Sequence, residues 1–209
     1  MAEHMPIRSL SRRRPPRSAR QLLRRQDWIA AAQVELIAAG VNGVTVGRLA
    51  RRLRVTRGSF YWHFKKRGDL LRDLLKCWEE TNTGSFERAR EQAQSRRGVT
   101  EFLAIVNLLL AEKDYSPAFD LAVREWARSS REAAAAVRRA DERRMDVLHR
   151  TFLHMGFRNP EALVRARITY FQQIGYYALG IHEDSAARHK LLHHYLRVLV
   201  SKPIEEMIR

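Results

Sequence analysis

Residues 45–70, TVGRLARRLRVTRGSFYWHFKKRGDL, contain the pattern that decides the fold. Thr45 is a residue type that caps helix N-termini, and apolar residues follow it at the three- and four-residue spacing of one helix face. After a turn at residues 54–55, Thr56 is placed to cap a second short helix with Phe60 and Phe64 on its inner side. Two short helices joined this closely have the spacing of a helix-turn-helix, in which the second helix enters the major groove of DNA.

The side chains that this arrangement leaves on outward or flanking faces are suited to DNA. Thr56 and Arg57 stand at the N-terminal end of the second helix, where side chains meet base edges, and Arg57 can make a bidentate contact to guanine. Gly58 and Ser59 are small, so the backbone can approach DNA closely. Trp62 can lie along the DNA backbone or pack on a neighbouring residue, and the sequence leaves both open. The predicted DNA-binding residues are Thr45, Arg48, Thr56, Arg57, Gly58, Ser59, Tyr61, Trp62, His63, Lys65, Lys66 and Arg67.

Positive charge is concentrated in the same part of the chain. The net charge of the 209 residues is +16, and residues 1–67 hold 16 Lys or Arg against 3 Asp or Glu. The remaining residues hold 23 against 20. Such a concentration is typical of a module that binds a polyanion. Charge alone would suit DNA, RNA or an anionic membrane, so the helix-turn-helix pattern decides between them.

The chain is predicted to be all-α, with an N-terminal three-helix domain followed by a C-terminal helical domain. Residues 1–20 are interpreted as a flexible basic arm, which is either a solvated tail or a contact to DNA. The first helix is expected from about residue 21 and is ended by Gly40 in a left-handed conformation. Asp69 is placed to cap a helix that runs through Trp78. Further helices are predicted over residues 99–112, 117–129, 131–155, 160–181 and 185–200.

The composition argues against several other classes of protein. No apolar run approaches the ~20 residues that cross a bilayer, and no secretory signal pattern follows the basic N-terminus, so we expect a cytoplasmic protein without a membrane partner. Cys77 is the only cysteine, which excludes an internal disulfide. His189 and His193 have metal-ligand spacing but no nearby Cys or carboxylate contribution. Since no nucleophile–base pair or phosphate loop is recognisable, we predict neither an enzyme nor a metal or cofactor site.

The stretch from residue 45 to residue 70 resembles the DNA-binding signature of the TetR (tetracycline repressor) family, and the resemblance extends over roughly residues 28–75. That signature has a Thr-led helix, a Gly-Val turn, a short recognition helix, and then Tyr-x-x-Phe followed by Lys and a Leu-rich helix. Arg54 stands where the family usually has the turn glycine, and it is strained if that position needs a positive φ. The resemblance implies DNA-backbone contacts from Thr45 and Arg48, base contacts from Thr56, Arg57 and Gly58, and phosphate contacts from Tyr61, His63, Lys65 and Lys66.

The resemblance also implies a homodimer, joined through the last two long helices at about 160–181 and 185–200, and an effector pocket in each C-terminal domain. These helices are apolar on more than one face, which requires either a surrounding monomer core or a partner subunit. Residues 21–67 are accordingly the predicted DNA-binding domain, and residues 68–209 the predicted helical effector-binding and dimerisation domain. The candidate ligand-binding residues are Phe102, Phe119, Trp126, Phe152, Tyr170, Gln173 and Tyr177. Aromatic residues at helical spacing are more often core, so only a few of these are expected to touch a ligand.

The sequence thus predicts a TetR-type transcriptional regulator, a repressor by resemblance. It would bind a pseudo-palindromic double-stranded DNA operator as a homodimer and respond to an unknown small-molecule effector. The alternative is a nucleic-acid-binding protein without an effector, either architectural or RNA-directed, which would need only the basic N-terminal third.

Overall fold

The computed structural model describes residues 23–93, 98–181 and 183–201, and all regular secondary structure in these ranges is helical, which confirms the all-α fold. The predicted arm at residues 1–20 lies outside the described residues. In chain order the helices are α1 (Arg25–Gly43), α2 (Val46–Arg52), α3 (Gly58–Tyr61), α4 (Arg67–Trp78), α5 (Gly84–Glu91), α6 (Gly98–Ala111), α7 (Pro117–Ala127), α8 (Arg131–His154), α9 (Glu161–Ala178) and α10 (Ser185–Val200). A π-helical turn, Glu79–Thr83, joins α4 to α5.

The first four helices pack around an aromatic cluster. Trp28 of α1 is fully buried and meets Phe60 of α3 edge to face, with ring centroids 5.4 Å apart. Phe64 stacks on Phe60 at 5.1 Å, so the prediction that both are core residues is confirmed. Leu70 and Leu74 of α4 lie in the same core. The cluster therefore fixes the very short α3 against α1 and α4.

Gly40 interrupts α1 as its position in the sequence predicts. Its φ of +65° lies in the left-handed region that glycine adopts without steric cost. The chain then makes one more short turn through residue 43 before it enters α2. The helix begins at Arg25, and the start predicted near residue 21 falls outside the described residues.

The segment between α4 and α6 contains a helix, α5, for which no prediction was made from the sequence. In the structure Asn82 and Thr83 are buried. The side-chain amide of Asn82 donates to the Ser116 carbonyl oxygen at 2.7 Å, and its oxygen accepts from the Ser116 backbone N–H at 3.3 Å. This pair of hydrogen bonds fastens the π-helical turn to the start of α7.

The five helices predicted after residue 99 are confirmed, with ends that differ by three residues or fewer. A second core lies between α6, α8 and α9 and includes Phe102, Phe152 and Tyr170. None of the described helices is long and apolar enough to span a membrane.

The N-terminal core extends beyond the predicted domain boundary between residues 67 and 68. That boundary falls at the first residue of α4, and the rest of α4 packs into the N-terminal core. Phe119 and Val123 of α7 belong to the same cluster of buried residues as Trp28 and Leu36. One continuous core therefore joins the helix-turn-helix to the helices that follow it.

Arg54, in the turn between α2 and α3, has a left-handed backbone conformation with a φ of 56°. A residue with a side chain costs about 1–2 kcal/mol there, whereas glycine does not. Glycine also adds entropy to the unfolded chain, which offsets part of this gain. We therefore expect Arg54→Gly to raise the free energy of unfolding, measured in urea, by about 0.5–1 kcal/mol. Arg54→Ala keeps the strain and is the control. Equal stabilities of the glycine and alanine variants would show that the turn is unstrained.

Candidate functional site

The helix-turn-helix begins with the predicted side-chain cap at Thr45. The Thr45 hydroxyl oxygen accepts a hydrogen bond from the Arg48 backbone N–H at 3.3 Å, and its carbonyl oxygen accepts from the Leu49 N–H at 3.0 Å. Both Thr45 and Arg48 are exposed. The cap therefore leaves the hydroxyl proton of Thr45 available to an acceptor such as a phosphate oxygen.

The second helix of the motif has four residues, and Thr56 does not cap it. α3 is a single turn with Arg57 at its N-cap position. The Thr56 hydroxyl lies 3.4 Å from the Ser59 hydroxyl, and the Thr56 carbonyl oxygen accepts from the Ser59 N–H at 3.1 Å. These contacts hold residues 56–59 in a tight turn, and we call residues 56–66 the α3 segment.

Asp69 has a different position from the predicted cap. It is the third residue of α4, whose N-cap residue is Lys66. The Asp69 carboxylate accepts from the Lys66 backbone N–H at 3.0 Å. Because this bond fixes the backbone where the α3 segment meets α4, it sets where the exposed Lys65 and Lys66 side chains leave the protein.

The aromatic side chains that end α3 are in contact with solvent. Trp62 is 85% exposed and Tyr61 is 61% exposed. The alternative in which Trp62 packs on a neighbouring residue is therefore wrong. His63 is half-buried, and Arg57, Gly58, Lys65 and Lys66 are exposed. The α3 segment thus presents cations and an exposed indole side by side, a combination suited to phosphate and sugar contacts.

Arg57 lies against the start of α2. A methyl group on Gly47 would lie 3.1 Å from Nη2 of Arg57 and 3.4 Å from its Nε. The guanidinium therefore rests on the bare backbone of this glycine, which holds it beside the first helix of the motif. Gly47 was not among the predicted site residues, although a glycine inside a helical pattern is a signal of close approach.

Arg67, one of the predicted DNA-binding residues, makes hydrogen bonds within the protein. Its Nε donates to the Val44 carbonyl oxygen at 2.6 Å, and its Nη2 donates to the Val41 carbonyl oxygen at 2.5 Å. These carbonyls follow the interruption of α1 at Gly40, where the regular helical hydrogen bonds end. We therefore reassign Arg67 as a positioning residue that ties the start of α4 to the end of α1.

Arg25, which sequence reasoning did not single out, braces the α3 segment from the other side. Its Nε donates to Asp73 of α4 at 2.6 Å, and its Nη1 donates to the His63 carbonyl oxygen. Its guanidinium also lies 4.2 Å from the centre of the Phe64 ring. A single side chain thus connects α1, the α3 segment and α4.

Glu35 of α1 offsets part of the positive charge of α2. Its carboxylate lies 2.8 Å from Nη2 of Arg52 and 3.7 Å from Nη1 of Arg48. The longer distance leaves Arg48 the freer of the two arginines, and its side chain is 52% exposed. Arg48 therefore remains a candidate for the DNA backbone contact, while Arg52 is held to α1.

Comparison with known proteins identifies this motif. Residues 29–74 match the family described as bacterial regulatory proteins, tetR family. The chain carries a TetR-family DNA-binding domain. It is 42% identical over 50 residues to the HTH-type transcriptional regulator AcrR of Shigella flexneri, and 41% identical over 51 residues to SrpR of Pseudomonas putida. These matches cover 23% and 24% of this chain and 22% and 24% of the two relatives, so the chain matches less than a quarter of their length.

Solved structures share the fold beyond the TetR-family domain. The reduced form of NemR from E. coli superposes with a TM-score of 0.67 and 17% identity, covering 86% of this chain and 98% of NemR. SmeT, the repressor of the Stenotrophomonas maltophilia multidrug efflux pump SmeDEF, gives a TM-score of 0.56 and 20% identity, covering 75% of this chain and 77% of SmeT. At these identities the likeness concerns the fold alone.

The seven candidate ligand-binding residues outside the TetR-family domain do not form one site. Phe102 and Gln173 line a cavity between α6, α9 and α10. Trp126 lines a groove between α1 and α7, and Tyr177 lines a cleft at the end of α9. The other three are buried in the two cores: Phe119, Phe152 and Tyr170. We retain Phe102 and Gln173 as candidates.

A buried arginine lies where α4 meets the C-terminal helices. Arg144 of α8 is fully buried, its Nη2 donates to Asp120 at 2.8 Å, and its Nε donates to the Thr83 hydroxyl at 3.1 Å. The Asp120 carboxylate also accepts from the indole N–H of Trp78, the last residue of α4, at 3.1 Å. Burial acts to raise the pKa of Asp120, but the adjacent arginines outweigh it and hold this pKa below its ordinary value. Asp120 is therefore a buried carboxylate that stays charged.

Arg124 of α7 extends this arrangement to α9. Its Nε donates to Asp120 at 2.8 Å, and its Nη2 donates to Asp141 at 2.6 Å. The Tyr170 hydroxyl of α9 donates to the same Asp141 carboxylate at 2.5 Å. Burial raises the pKa of Tyr170, so the phenol keeps its proton and remains a donor. We call this set the buried ionic network; its members are Trp78, Asp120, Arg124, Asp141, Arg144 and Tyr170.

Proposed function

We propose that this protein is a cytoplasmic transcriptional repressor that binds a pseudo-palindromic DNA operator as a homodimer and is controlled by a small molecule in its C-terminal helices. The observation that carries the proposal is the α3 segment, which combines exposed cationic and aromatic side chains with a rigid anchorage. Buried Phe60 and Phe64 hold it from within, and Arg25 and Arg67 hold its C-terminal part through His63 and through the start of α4. Such preorganisation is what a reader of base edges requires.

Within this segment the proposed roles differ by position. Thr56, Arg57, Gly58 and Ser59 would face base edges, and Arg57 would be the bidentate reader. The remaining side chains would hold phosphates and sugars from the flanks: Thr45, Arg48, Tyr61, Trp62, His63, Lys65 and Lys66. Arg67 would act indirectly, through the position of α4.

The dimer would form through α9 and α10. Both helices carry apolar side chains that the monomer leaves exposed: Val164, Ile168 and Phe171 on α9, and Leu191, Tyr195 and Val198 on α10. A second copy covering them would bury the kind of apolar surface that soluble monomers rarely expose. A two-fold dimer would also place two α3 segments on successive major grooves, about 34–36 Å apart.

Control by an effector would use the buried ionic network. α4 begins at Arg67 beside the DNA-contacting segment and ends at Trp78, which donates to Asp120. Tyr170, the α9 member of the network, is followed in the chain by the exposed Phe171 of the proposed dimer face. A ligand that favours one packing of α9 would therefore shift the population of α4 positions and with it the spacing of the two α3 segments.

Selection of bound duplexes from random DNA tests this function. We expect the full-length protein to select an inverted repeat. For that site, Arg57→Ala should cost about 1–3 kcal/mol of binding free energy and relax specificity at one position. Lys65→Ala should weaken binding to selected and random duplexes alike and lower the slope of log K against log salt by about one.

Arg150→Ala is the matched control, because it removes an exposed arginine of α8 that pairs with Asp146. It should change neither affinity nor salt slope by more than experimental error. If Arg57→Ala reduced binding to selected and random DNA by the same factor, Arg57 would be a phosphate contact and not a reader. Recovery of no preferred duplex would argue against operator binding as a whole.

A further inference from the structure

A cavity of about 80 Å³ lies between α6, α9 and α10. Its wall is largely apolar. The side chains that α6 and α10 contribute include Phe102, Val106, Leu109, Leu192, Leu196 and Leu199. A largely apolar space of this kind favours the apolar part of a small molecule.

The α9 side of the cavity carries an unsatisfied donor. Gln173 lines the cavity, and its Nε2 is buried without a hydrogen-bond partner in the described part of the chain. Buried polar atoms in native proteins nearly always have a hydrogen-bond partner. We therefore expect this N–H group to donate to a molecule that enters the cavity. The partner that an amide N–H needs is an oxygen or nitrogen acceptor.

The charged residues that line the cavity disfavour a ligand with a net charge. Arg188 is one of them, but its Nη1 donates to Glu112 at 2.6 Å and its Nη2 donates to the Leu109 carbonyl oxygen at 3.2 Å. Its positive charge is therefore already compensated. Glu183 is the other, and it is exposed to solvent, which screens its charge. An anion would meet no uncompensated cation there, and a cation would meet only this screened carboxylate.

We propose that this cavity binds an uncharged, apolar small molecule that carries one hydrogen-bond acceptor, such as an aryl or alkyl ketone, with the acceptor on Nε2 of Gln173. The present volume is smaller than the ~150 Å³ of a cavity that holds benzene, so binding moves α10 outward. Hydrogen bonds tie the two ends of α10 to the protein, through Arg188 at one end and from Arg165 to the Leu199 and Ser201 carbonyl oxygens at the other.

The regulatory meaning of this site rests on the proposed function. Leu191 and Tyr195 of α10 line the cavity and are also partly exposed, and together with Val198 they belong to the proposed dimer face. A ligand under α10 would thus change the geometry of the dimer from within each subunit. Binding itself does not depend on DNA or on the dimer, and it is measured without either.

The test compares two molecules of nearly equal shape, acetophenone and ethylbenzene, which differ in the carbonyl acceptor. Binding to the full-length protein without DNA is followed by ligand-observed NMR titration. We expect acetophenone to bind at least fivefold more tightly than ethylbenzene. Gln173→Met should abolish this preference and leave ethylbenzene affinity within twofold, whereas Gln26→Met, a change at an exposed glutamine of α1 that does not line the cavity, should preserve it. A preference that survives Gln173→Met would overturn the proposal.

Two further experiments test the charge of the ligand and the location of the binding site. Benzoate and benzylammonium should each bind at least fivefold more weakly than acetophenone, and tighter binding of either would overturn the uncharged class. Val106→Trp should fill the cavity and abolish binding of both neutral probes, with thermal unfolding confirming a folded variant; retained binding would place the site elsewhere. If acetophenone binds as expected but leaves operator affinity unchanged, the binding site is supported and its proposed role as an effector site is wrong.

Discussion

Replacing Asp120 by asparagine is expected to lower the free energy of unfolding by about 3–5 kcal/mol. Asparagine keeps the volume of the side chain but removes the charge that faces Arg144, whose own side chain is 0% exposed. A guanidinium does not lose its proton in a protein. Arg144 would therefore remain a buried cation without a carboxylate in direct contact. Chemical unfolding followed by circular dichroism measures the loss.

The control for this variant is an ion pair at the surface, whose nitrogen and oxygen atoms lie a similar distance apart. Glu79 lies 2.6 Å from Arg139, whose side chain is 58% exposed, so Glu79→Gln should cost no more than about 1 kcal/mol. Arg144→Met should also cost less in the Asp120→Asn background than in the native protein, because the two changes remove one shared interaction. Equal losses from the two amide substitutions would contradict a stabilising role for the buried ionic network.

Placing an aspartate at Ile168 is expected to dissociate the proposed homodimer and to lower operator affinity by about 100-fold or more, since the two half-sites would no longer be bound together. Ile168 is 52% exposed on α9, one turn from the exposed Val164 and Phe171. In a dimer the new carboxylate would be buried without a partner, whereas in a monomer it would remain in water. Sedimentation at micromolar concentration and fluorescence anisotropy with the selected duplex measure the two effects.

Leu153→Asp is the matched control, since Leu153 is 38% exposed on α8, outside the proposed dimer face. It should leave both the sedimentation coefficient and the DNA affinity unchanged. The unfolding free energy of the Ile168→Asp monomer should match that of a native monomer. A dimer that persists in Ile168→Asp would exclude this part of α9 from the interface.

Features that depend on neighbours along the chain could be predicted from the sequence. The cap at Thr45 and the positive φ of Gly40 follow from local chemistry, and the structure has both. The strain suspected at Arg54 corresponds to its observed φ of 56°. Phe60 and Phe64 followed from helical spacing. In each case the cause lies within one or two helical turns of the residue itself.

Features that depend on tertiary partners could not be predicted in this way. Arg144 stands in the arginine-rich, charged stretch of α8, and its sequence neighbours Arg139 and Arg143 are exposed. Its burial is possible because Asp120 and Thr83, from other elements, meet it there. The same reason applies to Tyr170, a candidate ligand contact that instead donates to Asp141.

The core shared by α1, α4 and α7 limits which segments of this protein can be exchanged with those of another protein by recombination. Trp28 and Leu36 lie in one cluster with Phe119 and Val123, which come from the far side of the predicted boundary at residue 67. A chimera joined at that boundary would meet a foreign helix in place of α7 and would expose or mispack this apolar contact. If the chain binds an operator as proposed, a change of specificity by recombination would therefore have to carry the inner face of α7 along with the helix-turn-helix. Point substitutions at the exposed residues of the α3 segment lie outside this core, so the proposed DNA specificity can diverge by mutation more readily than by domain exchange.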